Sequence, residues 1–125
     1  MKKERIFVYG TLLEGCGNHQ YYLRDAKKLG EHITDSQFTM LHLGGFPGVI
    51  GIGNTAIRGE VYEITENEFR DIDGLEGYNP NNPSYGLYDR TQIKTPWGNA
   101  WIYLYNHRDN HHFNKITSGS WRNKD

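Results

Sequence analysis

The chain has one cysteine, Cys16, in 125 residues. No internal disulfide can form, which suits a reducing compartment. No apolar run is long enough to cross a bilayer. The opening Met1-Lys2-Lys3-Glu4-Arg5-Ile6 leads into a strand-like run without the apolar core of a signal peptide. A cytoplasmic location is therefore expected, with no membrane partner. An excess of one charge sign is also missing. A formal net charge of −1 argues against a broad electrostatic partner such as duplex DNA, so no nucleic-acid partner is expected. Nothing in the sequence sets the oligomeric state. Several familiar chemistries lack their signatures: there is no phosphate-loop Gly-Lys-Ser/Thr and no Gly-x-Ser-x-Gly elbow. Gly48-x-x-Gly51-x-Gly53 is followed by no helix signal, so it lacks the context of a dinucleotide site.

What is present suits one compact domain spanning 1–125, with a polar, His-rich tail from about 106 to 125 that wraps or frays. Arg5 to Tyr9 reads as a buried strand, with Ile6 and Val8 on one side and Phe7 and Tyr9 on the other. A loop covers Thr11 to Gly17, and Asn18 is placed to cap a short helix through Tyr21, Tyr22 and Leu23. Ala26 to Ile64 reads as strands and turns, clearest at Ala56 to Ile64. Thr65 and Glu68 form a capping-box pair. Phe69, Ile72 and Leu75 then recur at helical spacing, and Gly77 suits the stop. Leu87 to Thr95 and Ala100 to Tyr105 read as a hairpin across Pro96-Trp97-Gly98-Asn99. The fold class is α+β: a small, strongly bent sheet or barrel with two flanking helices.

Three constellations carry little. Cys16 lies near His19, but sequence proximity adds little to a thiol-nucleophile reading, and an incidental loop thiol is the plainer one. His107, His111 and His112 could suggest a metal, yet only Asp109 accompanies them, and a solvated tail is preferred. Trp97, Trp101 and the tyrosines could stack on nucleotides; without net positive charge, packing is the better account.

Two features remain. Glu76 ends the capped helix at the edge of its apolar stripe, facing the negative end of the helix dipole. Desolvation and the dipole would both raise its pKa, as a general acid/base requires. An exposed, unpaired glutamate is the alternative. Asp73, one turn earlier, is the nearest rival carboxylate and reads as a solvated helix residue. The second feature is Tyr9-Gly10-Thr11-Leu12, where the first strand ends. Consecutive N–H groups leaving a strand can face an anion or a developing oxyanion, and Gly10 would let a ligand near the main chain. An ordinary turn remains open.

Val8-Tyr9-Gly10-Thr11-Leu12, followed by Gly15, Asn18-His19 and Leu23, resembles the start of the gamma-glutamylcyclotransferase-like family. The resemblance continues through Gly59-Glu60-Val61-Tyr62, Asp73-Gly74-Leu75-Glu76-Gly77-Tyr78, Tyr88-Asp89-Arg90 and Gly119-Ser120-Trp121. It is nearest to the gamma-glutamylamine cyclotransferase branch, which is similar to the plant avirulence-induced proteins. It implies a small β-barrel with flanking helices. It also implies a reaction in which the α-amine of a small gamma-glutamyl substrate attacks its own γ-carbonyl, giving 5-oxoproline and a free amine or amino acid. No metal and no cofactor is implied. By this resemblance Glu76 is the acid/base, the backbone amides of Tyr9, Gly10, Thr11 and Leu12 hold the substrate's polar end, and Tyr88 contributes to binding. Tyr88 and Arg90 frame the site, or serve barrel packing and a surface ion pair. Ser120 departs from the acidic residue of many members, and Asn79–Ser84 lengthens the loop after Glu76. Two other outcomes stay open. One is a member that binds a small metabolite or a protein without catalysis; the other is removal of a gamma-glutamyl protecting group in biosynthesis.

Overall fold

The computed structural model describes residues 3–106 and 113–124. Its strands are β1 (Lys3–Val8), β2 (Lys27–Ile33), β3 (Phe38–His42), β4 (Pro47–Thr55), β5 (Arg58–Thr65), β6 (Tyr88–Thr95), β7 (Gly98–Tyr105) and β8 (Asn114–Lys115). Its helices are α1 (His19–Tyr22) and α2 (Glu66–Glu76). This is the expected α+β fold. The bending is achieved with two sheets, one ordered β2-β5-β1-β7-β6 and one ordered β4-β3-β8. At their seam Gly48 of β4 sits against the Tyr105 side chain of β7, with no room for a Cβ.

β1 is the middle strand of the larger sheet, antiparallel to β5 and parallel to β7. Both its faces are covered, which is why Ile6, Phe7 and Val8 are all apolar and all buried. α2 begins with the expected capping box. The Thr65 hydroxyl accepts from Glu68 N–H at 3.1 Å, and the Glu68 carboxylate accepts from Thr65 N–H at 2.8 Å. It ends at Gly77 in the left-handed conformation (φ 67°), and Ile72 carries its buried stripe into the core. The β6–β7 hairpin is tighter than the sequence suggests. Lys94 pairs with Asn99 and Thr95 with Gly98, leaving Pro96-Trp97 as the whole connection.

The C-terminal segment belongs to the domain. β8 pairs with β3, Ile116 is fully buried, and Trp121 stacks on His42 at 5.1 Å. The wrapping is therefore the outcome for residues 113–124; His107, Asp109, His111 and His112 lie outside the described residues. Glu60, buried on β5, ties distant pieces together. It accepts from Glu14 N–H at 2.9 Å and Tyr62 Oη at 3.0 Å, and meets Arg122 at 3.3 Å and Lys28 at 3.6 Å. Among the described residues, no helix is long and apolar enough to cross a membrane.

Candidate active site

A cavity of about 220 Å³ opens where β1 ends, β4 and β6 begin and α2 stops. Tyr9, Gly10, Thr11 and Leu12 border it, as do Glu76 and Tyr88. The two features singled out in the sequence therefore meet, although 64 residues separate Leu12 from Glu76.

The loop after β1 is held by its carbonyls. Gly10 O accepts from Leu13 N–H at 3.0 Å and Thr11 O from Asn18 N–H at 3.0 Å, and Leu12 O takes the His19 Nδ1 proton at 3.0 Å. The N–H groups of Gly10, Thr11 and Leu12 have no acceptor among the described residues. Three successive donors with spare capacity are what an anion or oxyanion needs. Asn18 does not cap α1 with its side chain. Its amide instead donates to Thr11 Oγ1 at 2.9 Å, which braces the loop. Gly10 also has a packing role. A Cβ there would meet the Pro47 ring at 2.8 Å, so the missing side chain admits Pro47.

Glu76 is the last residue of α2 and is half-buried. No donor among the described residues reaches its carboxylate. Burial raises its pKa to about 7, and the nearby charge of Asp73 adds to the rise. Asp73 is not the solvated helix residue that its place in the sequence suggests. Its Oδ1 accepts the Tyr103 hydroxyl at 2.6 Å and faces Arg90 Nε at 3.4 Å.

Three buried tyrosines, Tyr9 just past β1, Tyr88 on β6 and Tyr103 on β7, surround Glu76. Tyr9 donates to Tyr103 O at 2.8 Å, Tyr88 to Pro47 O at 2.7 Å, and Tyr103 to Asp73. Burial is the main force pushing all three phenols upward, so they stay neutral. Each has committed its one proton elsewhere, so none neutralises or titrates with Glu76. Arg90 is no surface ion pair. Its guanidinium lies 4.2 Å from the centre of the Phe69 ring and 4.4 Å from those of Tyr78 and Trp101, locking the end of α2 onto β6 and β7.

The remaining candidates fall away from this cavity. Trp97 covers Gly30 and Trp101 stacks on Phe69, so both indoles are used in packing. Cys16 packs at the edge of the core, while His19 serves Leu12 and stacks on Tyr62. Ser120 borders a separate cavity beside Glu60, not the one that holds Glu76. Sequence reasoning missed Phe46, Leu75, Leu87 and Tyr103 as lining residues. Leu75 and Leu87 were within reach, since each adjoins a residue already singled out. Phe46 and Tyr103 carried no local signal.

The family model for gamma-glutamyl cyclotransferase, AIG2-like, matches residues 6–123. The chain belongs to this family. It is 36% identical to the gamma-glutamylcyclotransferase family protein YtfP of Escherichia coli over 121 residues, covering 97% of this chain and 98% of that one. The solution structure of the Escherichia coli protein has a TM-score of 0.74 at 33% identity, over 95% of this chain and 96% of that chain. The gamma-L-glutamyl-butirosin B gamma-glutamyl cyclotransferase of Niallia circulans is 34% identical over 83% of this chain and 68% of its own length. An AIG2-like protein of Mus musculus has a TM-score of 0.65 at 27% identity, over 86% of this chain and 79% of that chain. In the gamma-glutamyl cyclotransferase frame, the matched span begins within β1, covers both walls of the cavity and runs past Trp121.

Proposed function

We propose that this chain is a gamma-glutamyl cyclotransferase of the gamma-glutamylamine type, using Glu76 as acid/base and the Tyr9–Leu12 loop as the anion cradle. The observation that carries the reading is a half-buried carboxylate with a pKa of about 7 sharing a cavity with three unclaimed N–H groups. A pure binding site has no need of so costly a carboxylate; proton transfer near neutrality does.

The substrate's α-ammonium gives a proton to Glu76 and becomes a nucleophile. Its nitrogen attacks the γ-carbonyl, a C–N bond forms, and the oxygen gathers negative charge that the loop N–H groups stabilise. One such donor is worth ~3–4 kcal/mol in comparable sites. Glu76 returns the proton to the leaving nitrogen as the amide C–N bond breaks. The attacking nitrogen loses its second surplus proton to the departing amine, which emerges as an ammonium beside 5-oxoproline. The nucleophile is part of the substrate, so the chief task of the cavity is to fold a flexible glutamyl chain into a ring-closing pose. Such orientation is worth up to ~7–11 kcal/mol.

The test is release of 5-oxoproline from gamma-glutamyl amides by the purified chain. Turnover should fall ~10²–10⁴-fold in Glu76→Gln, which keeps the shape but cannot take the proton. No release from any member of the panel, or undiminished turnover in Glu76→Gln, would overturn the reading.

A further inference from the structure

We propose that the outer part of the cavity receives an uncharged apolar amine, so that the preferred substrates are gamma-glutamyl alkylamides rather than gamma-glutamyl α-amino acids. This rests on the cyclotransferase reading given above. Among the described lining residues Glu76 is the one charged side chain, and there is no Lys or Arg. A leaving amino acid would carry its carboxylate one carbon from the scissile nitrogen. There it would be desolvated without a cation and repelled by Glu76. The three loop N–H groups are occupied by the glutamyl half of the substrate.

The rim supplies the positive half of the case. Tyr9, Leu12, Tyr88 and Tyr103 are buried, but Phe46 and Leu87 on the same cavity are 38% and 45% exposed. These two therefore mark its solvent side, with Pro47 between the rim and the loop. Their exposure does not come from a loosely held backbone. Leu87 N–H donates to Gly77 O at 3.0 Å and Leu87 O accepts from Asn106 N–H at 3.1 Å; Phe46 O accepts from Leu43 N–H at 3.1 Å. The long loop after Glu76 is itself stitched down, with Asn106 Nδ2 donating to Pro83 O at 2.6 Å and Gly86 O at 2.9 Å. Two apolar side chains on an anchored backbone at the mouth of a cavity gain by covering an apolar ligand, and a polar ligand offers them nothing.

Matched substrates test this. The gamma-glutamyl amides of pentylamine and of norleucine differ by one carboxylate, those of pentylamine and methylamine by four methylenes, and that of 1,5-diaminopentane adds a terminal cation. The pentylamide should exceed each of the other three in kcat/KM by at least ~10-fold, the scale on which apolar pockets discriminate. In Leu87→Lys the pentylamide-to-norleucine ratio should fall at least ~10-fold. Because the ratio is taken within one preparation, loss of folded protein cancels. Phe46→Lys serves the same purpose if the first variant does not fold. Norleucine or diaminopentane amides turned over as fast as the pentylamide, or a methylamide its equal, would overturn the inference while leaving the cyclotransferase reading intact. Absence of 5-oxoproline from all four would overturn both.

Discussion

A carboxyl group with a pKa of about 7 is half ionised at neutral pH, and that places a cost on the fold as well as a use on the site. Its pKa in the folded chain lies above the unfolded value of 4.5. The folded state therefore holds the proton more tightly, and stability falls as pH rises from 4.5 through 7. Glu76→Gln removes this dependence. The variant and the parent should melt together near pH 4.5 and separate as pH rises through 7, the variant becoming the more stable. Parallel melting curves at every pH would show that the carboxylate is not desolvated. Asp73 is the second residue of interest. Asp73→Asn keeps the side-chain shape, removes the charge that helps raise Glu76, and weakens the bonds to Tyr103 and Arg90. The charges and titratable groups around Glu76 are Asp73 on its own helix, Tyr9 from the loop after β1, and Tyr88 and Tyr103 from β6 and β7, and the tyrosines stay neutral. The acid limb of the kcat/KM profile should therefore move to lower pH, with a stability loss of ~1–3 kcal/mol. A profile that does not move would remove Asp73 from the electrostatics of the site.

Among the elements, the loop after β1 and the end of α2 are legible in the sequence, and for the same reason: both are local. A capping box, a helical stripe and a terminal glycine mark α2 within a dozen residues. An apolar strand running into Tyr-Gly-Thr-Leu marks the loop. The role of Gly10 is not legible there, because its partner Pro47 opens a strand 37 residues later. The same geometry predicts the effect of Gly10→Ala. The new methyl meets two ring carbons of Pro47 at 2.8 Å, and Pro47 is buried and anchors the Tyr88 hydroxyl. Either β4 or the loop must shift. The change should cost ~1–3 kcal/mol as overpacking and raise KM for a gamma-glutamyl amide, checked by denaturant melts and steady-state rates. Full stability with unchanged KM would mean that the loop and β4 are not in register with each other.

Across the whole molecule, the cavity is assembled from six separated stretches, and this sets the limit of sequence reasoning. Tyr103 lines it because β7 runs parallel to β1, with Ile6 aligned to Trp101; no local pattern announces a pairing across 95 residues. Trp121 and Ile116 look like residues of a polar tail until β3 is seen to pair with β8. Glu60 belongs to a recognisable motif, but its partners Glu14, Lys28 and Arg122 are brought to it by the sheet.

The central position of β1 also has a consequence for how the chain is made. Ile6, Phe7 and Val8 leave the ribosome well before their partners, since antiparallel β5 begins at Arg58 and parallel β7 at Gly98. At ~5–20 residues per second, the apolar run Ile6-Phe7-Val8 waits on the order of 3–10 s for its first neighbour and about twice that for its second. Contacts this distant in sequence make for slow folding. During synthesis, then, the strand that leads into the proposed anion cradle is a segment a chaperone would hold until β5 and β7 arrive.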